Sequence, residues 1–144
     1  MSRMTVVRTI AAPAHVVFRT VADITQFAQA VPEIVKVEFL SDVRSGVGTR
    51  FRETRAMNGK HVVTELAITE FVDNERVRMV AESHGTVWDT TFTVKANGGQ
   101  VILTTRMDAM SHNALRMIFL SLINPLVKSS VAKNMDAVKL FCER

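Results

Sequence analysis

The sequence contains almost no cysteine, since Cys142 is the only one among 144 residues. No internal disulfide can form, and no cysteine-based metal site exists. A reducing compartment is the simplest setting for such a chain, so we expect a cytoplasmic protein. The four histidines show no metal-binding spacing such as His-Glu-x-x-His. We therefore predict neither a metal ion nor a cofactor.

Long uncharged runs are also missing. The longest, Met117 to Val127, has eleven residues, whereas a membrane-spanning helix needs about 20. At the N-terminus, Arg3, Arg8 and Pro13 interrupt the apolar run that an export signal requires. We predict no integral membrane segment, which leaves only transient contact with a membrane open.

Aromatic residues are few, with no tyrosine and one tryptophan, so the chain lacks the stacking platforms that single-stranded nucleic acids use. Its net charge of +4 is concentrated between Arg44 and Lys60, where the only acidic residue is Glu53. Such a basic stripe can hold phosphates, but more often it is the exposed face of a strand. We predict no nucleic-acid binding. Nucleophile-elbow and dinucleotide-binding motifs are absent too.

The residues that are present predict one folded domain over residues 1–144, because 47% hydrophobic and 22% charged residues are ordinary globular values. Met4 to Ala11 is rich in Val, Thr and Ile and predicts a strand. Pro13 then opens a helix that reaches Asp23. A second short helix begins at Ile24 and stops at Pro32.

Six further segments alternate apolar and polar residues with a period near two, which predicts strands. The segments are Ile34 to Val43, Thr49 to Met57, His61 to Phe71, Arg76 to Ser83, Thr86 to Lys95 and Val101 to Ala109. The connections between them are short, and Asn58-Gly59 is a strong two-residue hairpin signal. The sequence therefore predicts an antiparallel meander.

A helical pattern of apolar residues runs from Ser111, a candidate N-cap, to the end of the chain. Pro125 interrupts it, because proline lacks an amide proton and its ring collides with the carbonyl of Ser121. The segment therefore forms either one kinked helix or two helices, the second capped by Asn124. We expect Met117 to Leu126 to act as a movable gate.

A curved sheet and one long apolar helix bury their apolar faces most simply when the sheet wraps around the helix. The concave face of the sheet is then the interior, and alternation assigns side chains to it. On two of the strands it directs inward Trp88, Thr90, Phe92, Leu103 and Met107.

The strand from Thr49 to Met57 departs from this alternation, because charged residues occupy both of its faces. Phe51 marks the inward face, which it shares with Glu53 and Arg55. Unpaired charges do not stay buried in an apolar interior, so the pair is either an ion pair at the sheet rim or a polar anchor in a cavity. If the protein is an enzyme, the catalytic candidates are Glu53 as proton acceptor and Arg55 as stabiliser of an enolate oxygen.

The order of elements, with the segments APAHVVFRTVADITQFAQAVPEI and GVGTRFRETRAMNGK, resembles the START-like helix-grip (SRPBCC) superfamily in its polyketide cyclase/dehydrase and lipid-transport group. The resemblance covers essentially the whole chain. It implies an α+β helix-grip fold, in which a curved seven-stranded antiparallel sheet surrounds a long C-terminal helix and two short helices follow the first strand. Relatives hold lipids, sterols, quinones or aromatic polyketides between sheet and helix, and some are enzymes while many are carriers.

We therefore predict that the chain binds a hydrophobic or aromatic small molecule, such as a lipid, polyketide or quinone-like compound, in a cavity between the sheet and the C-terminal helix. The alternatives are a polyketide cyclase/dehydratase-type enzyme and a protein-interaction module whose basic stripe meets an acidic partner. We expect a monomer or a homodimer. The predicted ligand-binding residues are Phe51, Glu53, Arg55, Met57, Leu66, Met79, Trp88, Thr90, Phe92, Leu103, Met107, Leu115, Phe119 and Leu122.

Overall fold

The computed structural model describes all residues from Met1 to Arg144, and its elements follow the predicted order. They are β1 (Ser2–Ile10), α1 (Ala14–Ala22), α2 (Ile24–Ala30), β2 (Ile34–Phe39), β3 (Arg50–Met57), β4 (Lys60–Val72), β5 (Arg76–Ser83), β6 (Thr86–Asn97), β7 (Gln100–Met110) and α3 (Ala114–Cys142). β2 is shorter than predicted. The Arg50 amide donates to Ser41 Oγ at 2.8 Å rather than to a backbone carbonyl, and this side-chain bond ends the ladder.

All seven strands form one antiparallel sheet in the order β1-β7-β6-β5-β4-β3-β2. β1 lies beside the last strand, and β2 to β7 form a meander of consecutive neighbours. The β3–β4 hairpin turns at Asn58 and Gly59, whose φ values are 52° and 75°. A type I′ turn requires positive φ at both positions, so the hairpin predicted from Asn-Gly is confirmed.

The core lies between the concave face of the sheet and the helices. On β7, Val101 and Leu103 are buried, as alternation predicts, and they belong to a cluster of 25 buried residues. The same cluster includes Val131 and Val138 of α3 and extends over α1 and α2. The α+β helix-grip fold is therefore confirmed.

The two short helices close one side of this core. The side chain of Asp23 caps α2 by accepting a hydrogen bond from the Thr25 amide at 2.9 Å. At the far end of α3, Cys142 Sγ lies 3.4 Å from Thr20 Oγ1 of α1, which joins the last helix to the first. Burial raises the pKa of the Cys142 thiol.

α3 is one helix that continues through Pro125, so the alternative of two separate helices is wrong. Asn124 does not cap a second segment. Its Nδ2 donates to Ser2 Oγ at 2.8 Å and to the Arg3 carbonyl at 3.2 Å. These bonds to β1 hold the helix in place at the turn where proline removes one hydrogen bond.

The first turn of α3 is capped by Asn113 rather than by Ser111. The side-chain oxygen of Asn113 accepts from the amides of Leu115 at 3.0 Å and Arg116 at 3.1 Å. Ser111 Oγ instead accepts from the Asn113 amide at 3.2 Å. Both residue types are good N-caps, and here the helix begins two residues later than predicted.

The two halves of α3 have different surroundings. The C-terminal half is bonded to β1, because Arg8 pairs with Asp136 at 2.6 Å and Lys139 Nζ donates to the Thr9 carbonyl at 2.7 Å. The N-terminal half has only Leu120 buried. By length and composition alone α3 is apolar enough to cross a membrane, a test that the core helix of a soluble protein also passes.

Candidate functional site

A cavity of about 410 Å³ lies between the concave face of the sheet and the three helices. Its lining comprises 23 residues, of which 15 are hydrophobic. Strands β3 to β7 form one wall and the C-terminal half of α3 forms the opposite wall, while α1 and α2 close the remaining side. The fold thus leaves a mainly apolar space where the sheet and α3 do not meet.

Most residues predicted to bind a ligand line this cavity, because each lies on the inward face of its strand. They are Phe51, Glu53, Arg55, Met57, Leu66, Met79, Trp88, Thr90, Phe92 and Met107. Leu103 is an exception. It faces inward on β7 but is fully buried in the core outside the cavity, opposite Val94.

The three predicted residues of α3 do not line the cavity. Leu115, Phe119 and Leu122 lie in its exposed N-terminal half, so this cavity does not support their prediction as ligand-binding residues. The segment from Met117 to Val127 is apolar around most of the helix, and periodicity in such a segment does not identify the buried face. Leu120 is instead the buried residue of this half.

Several cavity residues were missed in the sequence. α3 contributes Val127, Ser130, Val131, Asn134 and Met135, and the short helices contribute Val21, Ile24 and Phe27. The apolar spacing of the short helices identifies them as core helices. Only the position of these helices across the open face of the sheet brings them to the cavity.

The charged end of the cavity is lined by Glu53, Arg55 and Asn134. Glu33 contacts Arg55 from behind this lining, and we call the four residues the carboxylate cluster. Arg55 Nε lies 2.8 Å from Glu53 Oε1, and Arg55 NH1 lies 3.1 Å from Glu33 Oε1. In the orientation that satisfies both neighbours, the amide of Asn134 donates to Glu33 at 2.8 Å and accepts from Arg55 at 2.9 Å. Glu53 and Arg55 therefore form an ion pair, and the guanidinium of Arg55 also contacts a second carboxylate, that of Glu33.

Local backbone structure holds this cluster in place. Glu53 and Arg55 are two residues apart on β3 and thus share its inward face. Glu33 lies just before β2, and its carbonyl accepts from the Ala56 amide at 2.8 Å, which keeps it beside Arg55. Asn134 comes from α3, so the cluster connects the sheet to the helix across the cavity.

The cluster has one carboxylate more than its single guanidinium neutralises. The Glu53 side chain is only 9% exposed, and the protein supplies a donor to its Oε1 alone. Since no buried side-chain oxygen or nitrogen lacks a partner, the second oxygen of Glu53 is accessible, and we assign it to the cavity that Glu53 lines. No group of three or more His, Cys, Asp or Glu side chains is arranged to hold a metal ion.

Aromatic and sulfur-containing side chains form the rest of the lining. Trp88 lies opposite Ala81 and Ala109 on the neighbouring strands, small residues that leave the indole room. The rings of Phe27 and Phe92 are 6.1 Å apart between centroids. Methionines, which adapt to varied shapes, line the cavity from several elements: Met57, Met79, Met107 and Met135.

A seven-stranded antiparallel sheet wrapped around a long C-terminal helix, with a cavity between them, defines the START-like helix-grip class. Residues 1–142 match the family described as polyketide cyclase / dehydrase and lipid transport. The chain belongs to this family, which confirms the resemblance drawn from its sequence. No curated protein matches the sequence at a significant level.

Solved structures share this fold at low sequence identity. TTHA0849 from Thermus thermophilus is 21% identical, with a TM-score of 0.72 over 98% of this chain and 94% of that one. A START superfamily protein from Mycobacterium smegmatis is 16% identical, with a TM-score of 0.70 over 98% and 94%. The di-domain ARO/CYC protein StfQ of the steffimycin biosynthetic pathway is 10% identical, with a TM-score of 0.81 over 99% of this chain and 50% of that one.

Proposed function

We propose that the protein binds a mainly apolar small molecule, such as a lipid, a polyketide or a quinone-like compound, in the cavity between the sheet and α3. The composition of the cavity carries this proposal, because its apolar wall surrounds a single charged end. Ligand cavities typically enclose about 300 to 1,000 Å³ and combine an apolar lining with a few polar groups that orient the ligand. The cavity of about 410 Å³ fits this description.

The carboxylate cluster favours a ligand that donates a hydrogen bond. The free oxygen of Glu53 can accept a hydrogen bond, and a hydroxyl or phenol group of the ligand would donate one to it. A ligand carboxylate would meet the excess negative charge of Glu53 and Glu33, so it would bind poorly. The proposed ligand is therefore an apolar molecule with a hydroxyl group at one end, so a hydroxylated lipid or polyketide fits the cavity better than a quinone, whose oxygens only accept hydrogen bonds.

An enzyme of cyclase or dehydratase type is the second candidate. The free oxygen of Glu53 favours it, because a carboxylate open to an apolar cavity is placed to accept a proton from a bound molecule. Arg55 is already held by two carboxylates, which weakens its proposed part as the stabiliser of an enolate oxygen. Incubation of a co-purified ligand with wild type and Glu53→Gln separates the candidates, since only an enzyme would convert it. The interaction module has no comparable support.

The first experiment is native mass spectrometry of freshly purified protein. We expect a small-molecule adduct that is lost on denaturation. Two adjacent threonines of β6 provide a matched test, because Thr90 lines the cavity and Thr91 lies on the opposite face of its strand. Thr90→Phe should displace the adduct and Thr91→Phe should retain it. Equal adducts in both variants would place the ligand outside the cavity.

The second experiment measures the affinity of a matched probe series by calorimetry. We expect 1-naphthol to bind more tightly than naphthalene or 1,4-naphthoquinone, and 1-naphthoate to bind most weakly. Glu53→Gln should reduce the preference for 1-naphthol. Glu65→Gln is the control, because Glu65 is an exposed carboxylate of β4 that pairs with Arg52. If the wild type shows no preference for 1-naphthol over naphthalene, the assignment of a hydroxyl-bearing ligand is wrong.

A cytoplasmic location and a single ligand-binding domain over residues 1–144 belong to the same proposal. The free thiol of Cys142, the only cysteine, supports the location. Whether the protein is a monomer or a homodimer stays a prediction.

A further inference from the structure

The N-terminal half of α3 carries a row of large apolar side chains in solvent, which we call the α3 stripe. These side chains are 55% to 78% exposed and belong to Leu115, Ile118, Phe119, Leu122 and Leu126. At 3.6 residues per turn they fall within an arc of about 100° and extend over about 16 Å of the helix. Single exposed apolar residues are common on protein surfaces, but a continuous stripe of this kind marks an interaction site.

The charged residues of α3 that precede Asp136 are all positive. They are Arg116, Lys128 and Lys133, of which Lys133 lies beyond the stripe in the C-terminal half, and no acidic residue occurs between Asp108 and Asp136. In a symmetric dimer built on this surface the same cations would face one another, which opposes contact with a second copy. An amphipathic helix with leucine and phenylalanine on one side and basic residues beside them suits an anionic lipid surface.

The α3 stripe also borders the cavity. Leu126 is followed by Val127, which lines the cavity. Val62 of β4 also lines the cavity and is 45% exposed. An apolar phase in contact with the stripe would therefore reach the rim of the cavity.

We propose that the α3 stripe docks the protein on the surface of an anionic membrane, with its apolar side chains in the boundary between headgroups and acyl chains. Arg116 and Lys128 would contact the lipid headgroups, and the cavity would open toward the membrane. The docking does not depend on which ligand the cavity holds, so it can be tested separately from the proposed binding function.

The test is co-sedimentation of the full chain with vesicles of phosphatidylcholine and phosphatidylglycerol in equal amounts, compared with phosphatidylcholine alone. We expect at least tenfold stronger partitioning to the anionic vesicles, and a marked loss of binding at high salt. Leu122→Asp should reduce binding at least tenfold. Val47→Asp is the matched control, because Val47 is 60% exposed but lies in the loop before β3 and not on α3.

A second pair of variants tests the charges. Lys128→Glu should weaken binding to the anionic vesicles, whereas Lys95→Glu, a charge reversal on β6, should not. Equal binding of Leu122→Asp and Val47→Asp, or no binding of the wild type to anionic vesicles, would overturn the proposal. Light scattering of the same proteins tests the other occupant, a second copy of the chain. If the wild type is a dimer that only Leu122→Asp dissociates, and vesicle binding does not change, the stripe is a self-association surface.

Discussion

Replacement of Arg55 by methionine tests how the carboxylate cluster is held together. Its guanidinium contacts Glu53 at 2.8 Å and Glu33 at 3.1 Å, and the side chains of Arg55 and Glu53 are only 17% and 9% exposed. Loss of one partner from a buried ion pair costs about 3 to 5 kcal/mol, because the remaining charge is left without compensation. Since Glu53 reaches the cavity and Glu33 is partly exposed, we expect a loss of about 3 kcal/mol, at the lower end of this range.

A double-mutant cycle shows whether the loss comes from the ion pair. Glu53→Gln keeps a side-chain oxygen that can accept a hydrogen bond from Arg55, and the contact between Arg55 and Glu33 is unchanged. This substitution should therefore lower the free energy of unfolding by about 1 kcal/mol. In the double variant the carboxylate that Arg55 neutralised is also gone. The combined loss should therefore be smaller than the sum of the single losses by about 1 to 2 kcal/mol.

The assay is urea unfolding of the four proteins at neutral pH, together with the affinity of each for 1-naphthol. Arg52→Met is the control, because Arg52 lies on the same strand and pairs with Glu65 at 3.3 Å in a more exposed position, where a pair contributes less than about 1 kcal/mol. Affinity should fall by about 1 to 3 kcal/mol in Arg55→Met, since Glu53 loses the group that positions it. Additive losses of stability would refute the ion pair, and coupled losses with unchanged affinity would leave it a purely structural feature.

Trp88 lines the cavity, so its fluorescence should change when the protein is saturated with an apolar probe that calorimetry has shown to bind. Unchanged emission would mean that Trp88 is not part of the binding site. In hydrogen exchange, the amides of Ile123–Val127 should exchange faster than those of Val131–Val138, because Pro125 interrupts the bonding of an exposed half-helix; equal protection would argue against a gate. Hydrogen bonding from Arg78 holds the pKa of the Asp89 carboxyl below its usual value. The pair therefore stabilises the protein above about pH 4, and this contribution is lost as the pH falls through the lowered pKa. Arg78→Met should thus cost up to about 1 kcal/mol at pH 7 and progressively less in acid. A thermal-unfolding difference between the two proteins that does not shrink as the pH falls would contradict this.

The sheet could be predicted from the sequence because its signals are local. Alternation assigns Trp88, Thr90 and Phe92 to the face that lines the cavity, and Asn58-Gly59 determines the turn between β3 and β4. The break in alternation at Glu53 and Arg55 also pointed to the charged end of the cavity. These features depend on neighbours within one strand or one hairpin.

The remaining parts of the site depend on contacts between elements that are distant in sequence. Glu33 lies 22 residues from Arg55 along the chain, and Asn134 belongs to the last helix, so no local pattern connects them. The orientation of α3 was predicted wrongly for Leu115 and Leu122 because the segment is apolar on most sides. Its bonds to β1, rather than its own periodicity, decide which side faces the sheet.

The hydrogen bonds between α3 and β1 also determine how the sheet ends. β1 and β2 are its two edge strands, and exposed edges invite pairing with other chains. Asn124 and Lys139 donate to the carbonyls of Arg3 and Thr9, so an incoming strand would find acceptors near both ends of β1 already occupied. The β2 edge is only six residues long and carries a bulge near Lys36. Growth of the sheet by addition of strands, the usual route from an open β-sheet to aggregation, is thus obstructed on both sides.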